Sequence, residues 1–309
     1  MQIFDYAATG ERMPYAALIQ AIHAIFTEGC TVPRRHIHAI DSDDAAATLL
    51  IMPAWQKNKF MGIKHVTIYP DNGGKYALPG LHSTYTLFDA QNGVPVAVLD
   101  GNQITCRRTA AASALAARYL AREDAESLLI VGAGNVAREL APAYAEVCRL
   151  KHIRIWNVSH DKAEQLAADL RSQGFAAEAV ADLQAAVAAS DIVSCATLST
   201  VPLVLREWVK PGTHIDLIGS FKPDMRETDD AMFADTSVFV DTDEAPDKAG
   251  DLLSPMAAGV FKREQILADL ESLCLGKHPG RTSADEITVY KAVGTAAEDL
   301  AAAVLVYQG

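Results

Sequence analysis

Apolar residues in the first 124 positions come in runs of strand length. "ATLLIMPAW", "FMGIKHVTIYP", "STYTLFDA" and "VPVAVLDGNQIT" are punctuated by Pro, Gly and Asn. Runs of this kind predict strands, and only Met13 to Thr27 has helical spacing. This part reads as a mostly antiparallel sheet domain. Beyond it the texture changes, because "SLLIVG", "HIRIWN", "AAEAV" and "DIVSCAT" alternate with helix-like segments at Asn135 to Leu150, Asp161 to Gln173 and Asp182 to Ala189. Alternation predicts a parallel sheet with helices on both faces. "THIDLIG" and "SVFVD" extend it, and "ITVYKAVGTAAEDLAAAVLVYQ" reads as an Ala-rich apolar helix that packs back on the first domain. The expected domains are 1–124 plus 287–309, and 125–286.

Composition is consistent with this division, since 309 residues that are 50% apolar can bury two ordinary cores. A net charge of −12 argues against a nucleic-acid or anionic-membrane partner, both of which reward clustered Lys and Arg. The five cysteines form no Cys-x-x-Cys pair, so neither a disulfide framework nor a thiolate metal cage is expected. With no signal-like N-terminus and no apolar run long enough to span a bilayer, a cytoplasmic protein is expected. Two further clusters carry bland expectations. The acids of "DTDEAPDKAGD", Asp241 to Asp251, lack calcium-loop spacing and read as a solvated loop. His36 and His38 read as a strand-edge pair, with no third metal ligand placed by sequence.

The strongest motif is "LLIVGAGNVA", residues 128–137, a Gly-x-Gly-x-x-Ala fingerprint made by Gly132, Gly134 and Ala137. Gly132 permits a tight strand-to-helix turn, Gly134 lets a pyrophosphate approach the backbone, and Ala137 lets helix and strand lie close. Because the motif ends an apolar strand and opens an α/β series, it predicts dinucleotide binding. The fold class is therefore α/β, a Rossmann-type doubly wound parallel sheet plus an N-terminal mostly antiparallel sheet domain. At the end of the second strand, where NAD-binding chains place an acid, "IWNVSHDK" has Asn157, followed by the donors Ser159 and Lys162. That favours NADP(H), with NAD(H) possible.

In "DGNQITCRRTAAASALAARYLA", residues 100–121, Cys106 to Ala121 predicts a helix capped by Thr105. Arg107 and Arg108 would then lie in its first turn, against the macrodipole, so an anion is expected to compensate. A substrate carboxylate or cofactor phosphate would serve.

"GIKHVT", "GLHSTYTLFD", "RRTAAASALAA", "LLIVGAGNVA", "REWVKPGTHIDLIGS" and "YKAVGTAAEDLAAA" together resemble, in order and spacing, the ornithine cyclodeaminase/μ-crystallin family. The resemblance covers nearly the whole chain. It implies a homodimer whose N-terminal domain supplies the substrate pocket and subunit contacts. It places the substrate-carboxylate arginine on Arg108, the pocket lysine on Lys64, and a second arginine on Arg35, with Arg34 an alternative. Thr84 matches a cofactor contact near the nicotinamide. The dinucleotide-binding set comprises Thr84, Arg108 and Thr109; the turn Gly132, Ala133, Gly134, Asn135 and Val136; and Asn157, Ser159 and Lys162. Ala196, Thr197, Ile218, Gly219, Ser220, Val293 and Gly294 complete it.

One column separates two reactions. Where the cyclodeaminase branch carries a catalytic Asp, this chain has Phe221, and "GSFKPDMRE" resembles instead the μ-crystallin and ketimine-reductase branch. Asp224 is expected to turn this loop with Arg226 and Glu227 as local partners. The resemblance implies reduction by NADPH of a cyclic ketimine acid derived from an amino acid, Δ1-pyrroline-2-carboxylate or its six-membered homologue. Lys64 and Arg108 would act at the reacting centre. Two rivals remain: an NAD-dependent cyclodeaminase or amino-acid dehydrogenase, and a non-catalytic NADPH-binding protein.

Overall fold

The computed structural model describes residues 1–43 and 46–309, which divide into two compact units, Met1–Arg108 with Thr295–Gly309, and Thr109–Gly294. The first holds a six-stranded sheet of β1 (Gln2–Phe4), β2 (His36–Ala39), β3 (Thr48–Trp55), β4 (Phe60–Ile68), β5 (Leu81–Asp89) and β6 (Pro95–Asp100). Its order is β1-β6-β5-β4-β3-β2, and every pairing is antiparallel except β1 with β6. Alternation along β4 buries Gly62, Lys64 and Val66 on one face, so a lysine occupies a position that the period-2 pattern assigns to the core. Helix Tyr15–Glu28 buries Leu18, Ile19, Ile22, Ile25 and Phe26 at helical spacing, and helix Ala296–Gln308 packs against it and against β3, β4 and β5. His36 and His38 are exposed on β2, at the sheet edge.

The second unit is built on an eight-stranded parallel sheet of β7 (Ser127–Val131), β8 (His152–Trp156), β9 (Ala177–Ala179), β10 (Ile192–Cys195), β11 (His214–Leu217), β12 (Ser237–Val240), β13 (Ile266–Asp269) and β14 (Thr288–Lys291). The order is β13-β12-β14-β11-β10-β7-β8-β9. All residues of β7, β10, β11 and β14 are buried, as expected of parallel strands covered on both faces. Leu129, Val131, Val193, Ile215, Leu217 and Val289 form the centre of this core. Strand order reverses between β7 and β10, the switch point at which such sheets take ligands outside their carboxyl ends.

Several sequence expectations are corrected. The stretch from Ile287 does not begin as a helix, because "TVYK" is β14 and the terminal helix starts only at Ala296, after its Thr295 cap. The helix after β6 begins at Gly101 rather than Cys106. Asp100 Oδ1 accepts from Gln103 N at 2.7 Å, whereas Thr105 lies inside the helix and donates to the Gly101 carbonyl. Arg107 and Arg108 thus lie beyond the first turn, and the macrodipole argument for an anion at that terminus lapses. The helix expected to reach Leu150 ends at Tyr144, two residues after Pro142. The acids of 241–251 are not all solvated: Asp241 Oδ2 accepts from Val293 N and Gly294 N, and Asp251 Oδ1 accepts from Glu227 N and Thr228 N. Nor are Arg226 and Glu227 partners of Asp224. Arg226 pairs with Asp230 at 2.7 Å, and Glu227 is buried against Thr197.

Candidate active site

In the first unit four charged side chains meet in a space almost closed to water. Lys64 enters from β4, Arg108 from helix Gly101–Leu120, and Glu298 and Asp299 from the first turn of the terminal helix. Lys64 Nζ lies 2.8 Å from Asp299 Oδ1 and 2.7 Å from Oδ2, with Thr105 Oγ1 at 3.4 Å. Arg108 donates through Nε to Asp299 Oδ1 at 2.9 Å and through Nη1 to Glu298 Oε2 at 2.7 Å. The helix start explains where the acids sit. Thr295 and Glu298 close a capping box, and carboxylates in a first turn meet the positive end of the macrodipole.

Electrostatics tune this cluster toward proton chemistry. Burial pushes the Lys64 amine down, Asp299 pulls it back up, and Arg108 and Arg35 lower it further, leaving it at about 8. For Asp299, burial acts to raise the carboxyl, but Lys64 and Arg108 outweigh it and hold the group below the ordinary carboxylate range. An amine that titrates just above neutrality, held beside a fixed guanidinium, can both orient an anion and hand over a proton. Of the two candidate arginines near β2, Arg35 is half-buried and close enough for its charge to reach Lys64, whereas Arg34 is exposed.

Thr84 is not brought to this cluster. In the β4–β5 register Lys64 opposes Tyr85 while Thr84 opposes His65, so Thr84 stands exposed on the other face of the sheet.

In the second unit most of the expected dinucleotide positions collect on one edge. Gly132 to Val136 follow β7, Asn157 to Lys162 follow β8, Ala196 and Thr197 follow β10, Ile218 to Ser220 follow β11, and Val293 and Gly294 follow β14. These strands are neighbours in the order β14-β11-β10-β7-β8, and all five loops leave carboxyl ends. Thr109, buried on its helix, is the expected position of this unit that lies off these loops.

The turn fits a dinucleotide. Gly132 has φ 116°, and a Cβ there would stand 2.6 Å from the Ala196 carbonyl oxygen, so only glycine fits. A Cβ on Gly134 would meet nothing within 4 Å, and Gly134 caps helix Asn135–Tyr144 without a side-chain acceptor, which suits first-turn N–H groups to a pyrophosphate. After β8 no carboxylate replaces Asn157; its Nδ2 donates to the Ser159 carbonyl at 3.0 Å. Lys162 is exposed in the first turn that follows.

Residues 5–309 match the model of the ornithine cyclodeaminase/mu-crystallin family. The chain belongs to that family. Among its relatives, a Δ1-pyrroline-2-carboxylate reductase from Colwellia psychrerythraea is 35% identical over 98% of this chain and 97% of its own. The structure of a Δ1-pyrroline-2-carboxylate reductase from Thermococcus litoralis, in complex with NADH and L-proline, superposes with a TM-score of 0.94 at 30% identity. It covers 100% of this chain and 97% of that one. An archaeal alanine dehydrogenase dimer with bound NAD superposes at 0.92 and 26% identity, covering 100% and 95%.

Sequence reasoning singled out Lys64, Arg108 and the glycine turn but passed over Glu298 and Asp299. Their signal was present: "TAAEDLAAA" carries the Thr-x-x-Glu of a capping box and then two adjacent acids in an otherwise apolar helix. Buried acids of this kind need cationic partners. Replacing Asp299 by Asn removes the charge that supports the Lys64 ammonium, so the amine pKa is expected to fall below its present value of about 8. NMR titration of labelled lysine side chains measures it, and an unchanged Lys64 titration would contradict the arrangement.

Proposed function

We propose that this family member is a ketimine reductase that reduces Δ1-pyrroline-2-carboxylate to L-proline, and the six-membered homologue to L-pipecolate, with NADPH. The observation that carries the reading is the buried Lys64 amine, held with Arg108 on the shared carboxylate of Asp299. The names of the Colwellia and Thermococcus relatives support the same substrate. When bound, the nicotinamide cofactor supplies the hydride that the C=N carbon accepts.

The chain's own residues do the rest. Arg108, with two nitrogens already fixed by Glu298 and Asp299, holds the substrate carboxylate together with Arg35, so that no rearrangement of the guanidinium is needed on binding. Lys64 Nζ hydrogen-bonds the imine region and keeps its nitrogen protonated, which makes the carbon electrophilic. One hydride and one proton added across C=N balance the conversion of imine to secondary amine. Reduction needs no strong base, which suits Phe221 in the column where cyclodeaminases carry an acid. The dinucleotide rests on the loops after β7, β8, β10, β11 and β14. Asn157 in place of an acid supports NADPH, since a carboxylate there would repel the 2′-phosphate. We place the enzyme in the cytoplasm as a homodimer, in line with the dimer of the archaeal alanine dehydrogenase.

Purified protein is expected to oxidise NADPH, followed at 340 nm, when Δ1-pyrroline-2-carboxylate is added, and to release no ammonia above background from L-ornithine with NAD. Ammonia release without imine reduction would overturn the reading. For the cofactor, Asn157→Asp should weaken NADPH by about tenfold more than NADH, equivalent to one repulsive contact of roughly 1.4 kcal/mol. Equal loss for both nucleotides in a binding titration would refute the NADPH preference.

A further inference from the structure

The loops at the carboxyl edge of the parallel sheet are held by buried polar groups that hydride transfer does not itself require. Glu227 is fully buried, and its Oε1 accepts from Thr197 N at 2.8 Å and from Thr197 Oγ1 at 2.9 Å. Its Oε2, also buried, has no hydrogen-bond partner among the described residues. Gly219 lies flat against the same carboxyl, since a Cβ there would stand 2.4 Å from Glu227 Oε1 and equally close to the Thr197 carbonyl oxygen. One side chain therefore touches two loops, the one after β10 and the one after β11.

Other buried groups hold the rest of that second loop. Ser220, at φ 55°, donates its hydroxyl to the Met225 carbonyl at 2.5 Å and accepts from Asp251 N at 2.9 Å. Lys291 donates to the carbonyls of Leu217 and Gly219, and lies 3.6 Å from Asp251 Oδ2. Burial drives the Glu227 carboxyl up, Lys291 opposes that and Asp251 adds to it. A carboxyl whose one oxygen takes two donors from a single residue acts as a hydrogen-bonding clamp on that residue's loop.

We propose that Glu227 is a positioning residue for the dinucleotide, its buried carboxyl clamping the Thr197 loop onto the Gly219–Ser220 loop so that both keep the shape the cofactor binds. The inference rests on the dinucleotide site proposed above. It assigns to Glu227 no contact with substrate and no part in proton transfer.

The test is a titration of the full chain with NADPH and with NADH, without substrate, followed by nucleotide fluorescence. Glu227→Gln keeps an acceptor oxygen of the same reach, and is expected to bind within about threefold of wild type. Glu227→Met keeps the volume but removes both oxygens, and is expected to bind both nucleotides about tenfold or more weakly. Its KM for the imine at saturating nucleotide is expected to stay within about twofold of wild type, a split that general loosening of the fold would not give. Glu227→Ala serves the same purpose should the methionine variant fail to fold, with far-UV circular dichroism and thermal melting as the check. Wild-type affinity in a folded Met or Ala variant overturns the clamp, and so does a Gln variant as weak as Met. Loss of all nucleotide binding by the wild type would overturn the dinucleotide site itself, an outcome distinct from either.

Discussion

The ion cluster of Lys64, Arg108, Glu298 and Asp299 is the constraint on which the first unit depends. Taking four charges out of water costs several kcal/mol per ion, and only short, mutually supporting contacts recover it. The contacts present run from 2.7 to 2.9 Å, and Asp299 meets both cations at once. The cluster dictates how the surrounding elements must meet. The terminal helix has to arrive with its first turn over β4, and the helix after β6 has to place Arg108 beside the same carboxylates. Removing one partner from such a group leaves a buried charge unpaired, at a cost of about 3 to 5 kcal/mol. Apolar packing of similar volume often stabilises such a space as well, so the buried lysine is not accounted for by stability alone.

The second unit solves a different problem with related means. Its central strands are buried along their whole length, so ligand contacts are left to the loops at their carboxyl ends, and loop backbone must be held by something. Buried acids do this from behind. Asp241 takes the amides of Val293 and Gly294, Asp251 those of Glu227 and Thr228, and Glu227 that of Thr197. Each replaces a water partner the amide would lose on burial. The glycine turn and the first-turn N–H groups of helix Asn135–Tyr144 lie at the same carboxyl edge.

Much of this was legible in the sequence, for identifiable reasons. Short apolar runs of strand length located β3, β4 and β5, strand–helix alternation located the parallel sheet, and the glycine fingerprint located the tight turn after β7. Local signals failed where a distant partner decides. Thr105 was a reasonable cap, but Asp100 lies earlier and its carboxylate starts the helix five residues sooner than Cys106. "TVYK" was read into the following Ala-rich helix, although it pairs with both β11 and β12 as a central strand. The acids of 241–251 looked solvated because no sequence pattern announces that a carboxylate will cap backbone amides about 25 to 50 positions away. Glu298 and Asp299 escaped notice because their cations lie about 190 and 235 positions distant.

Isotope transfer tests the central claim most directly: that Lys64 and Arg108 hold a cyclic imine acid for hydride reduction. Protein incubated with Δ1-pyrroline-2-carboxylate and NADPH carrying deuterium on the transferred face of C4 should yield L-proline bearing one deuterium at C2, read by mass spectrometry and proton NMR. Lys64→Met should form the same labelled product far more slowly. Proline that is absent, or formed without deuterium at C2, would contradict the account.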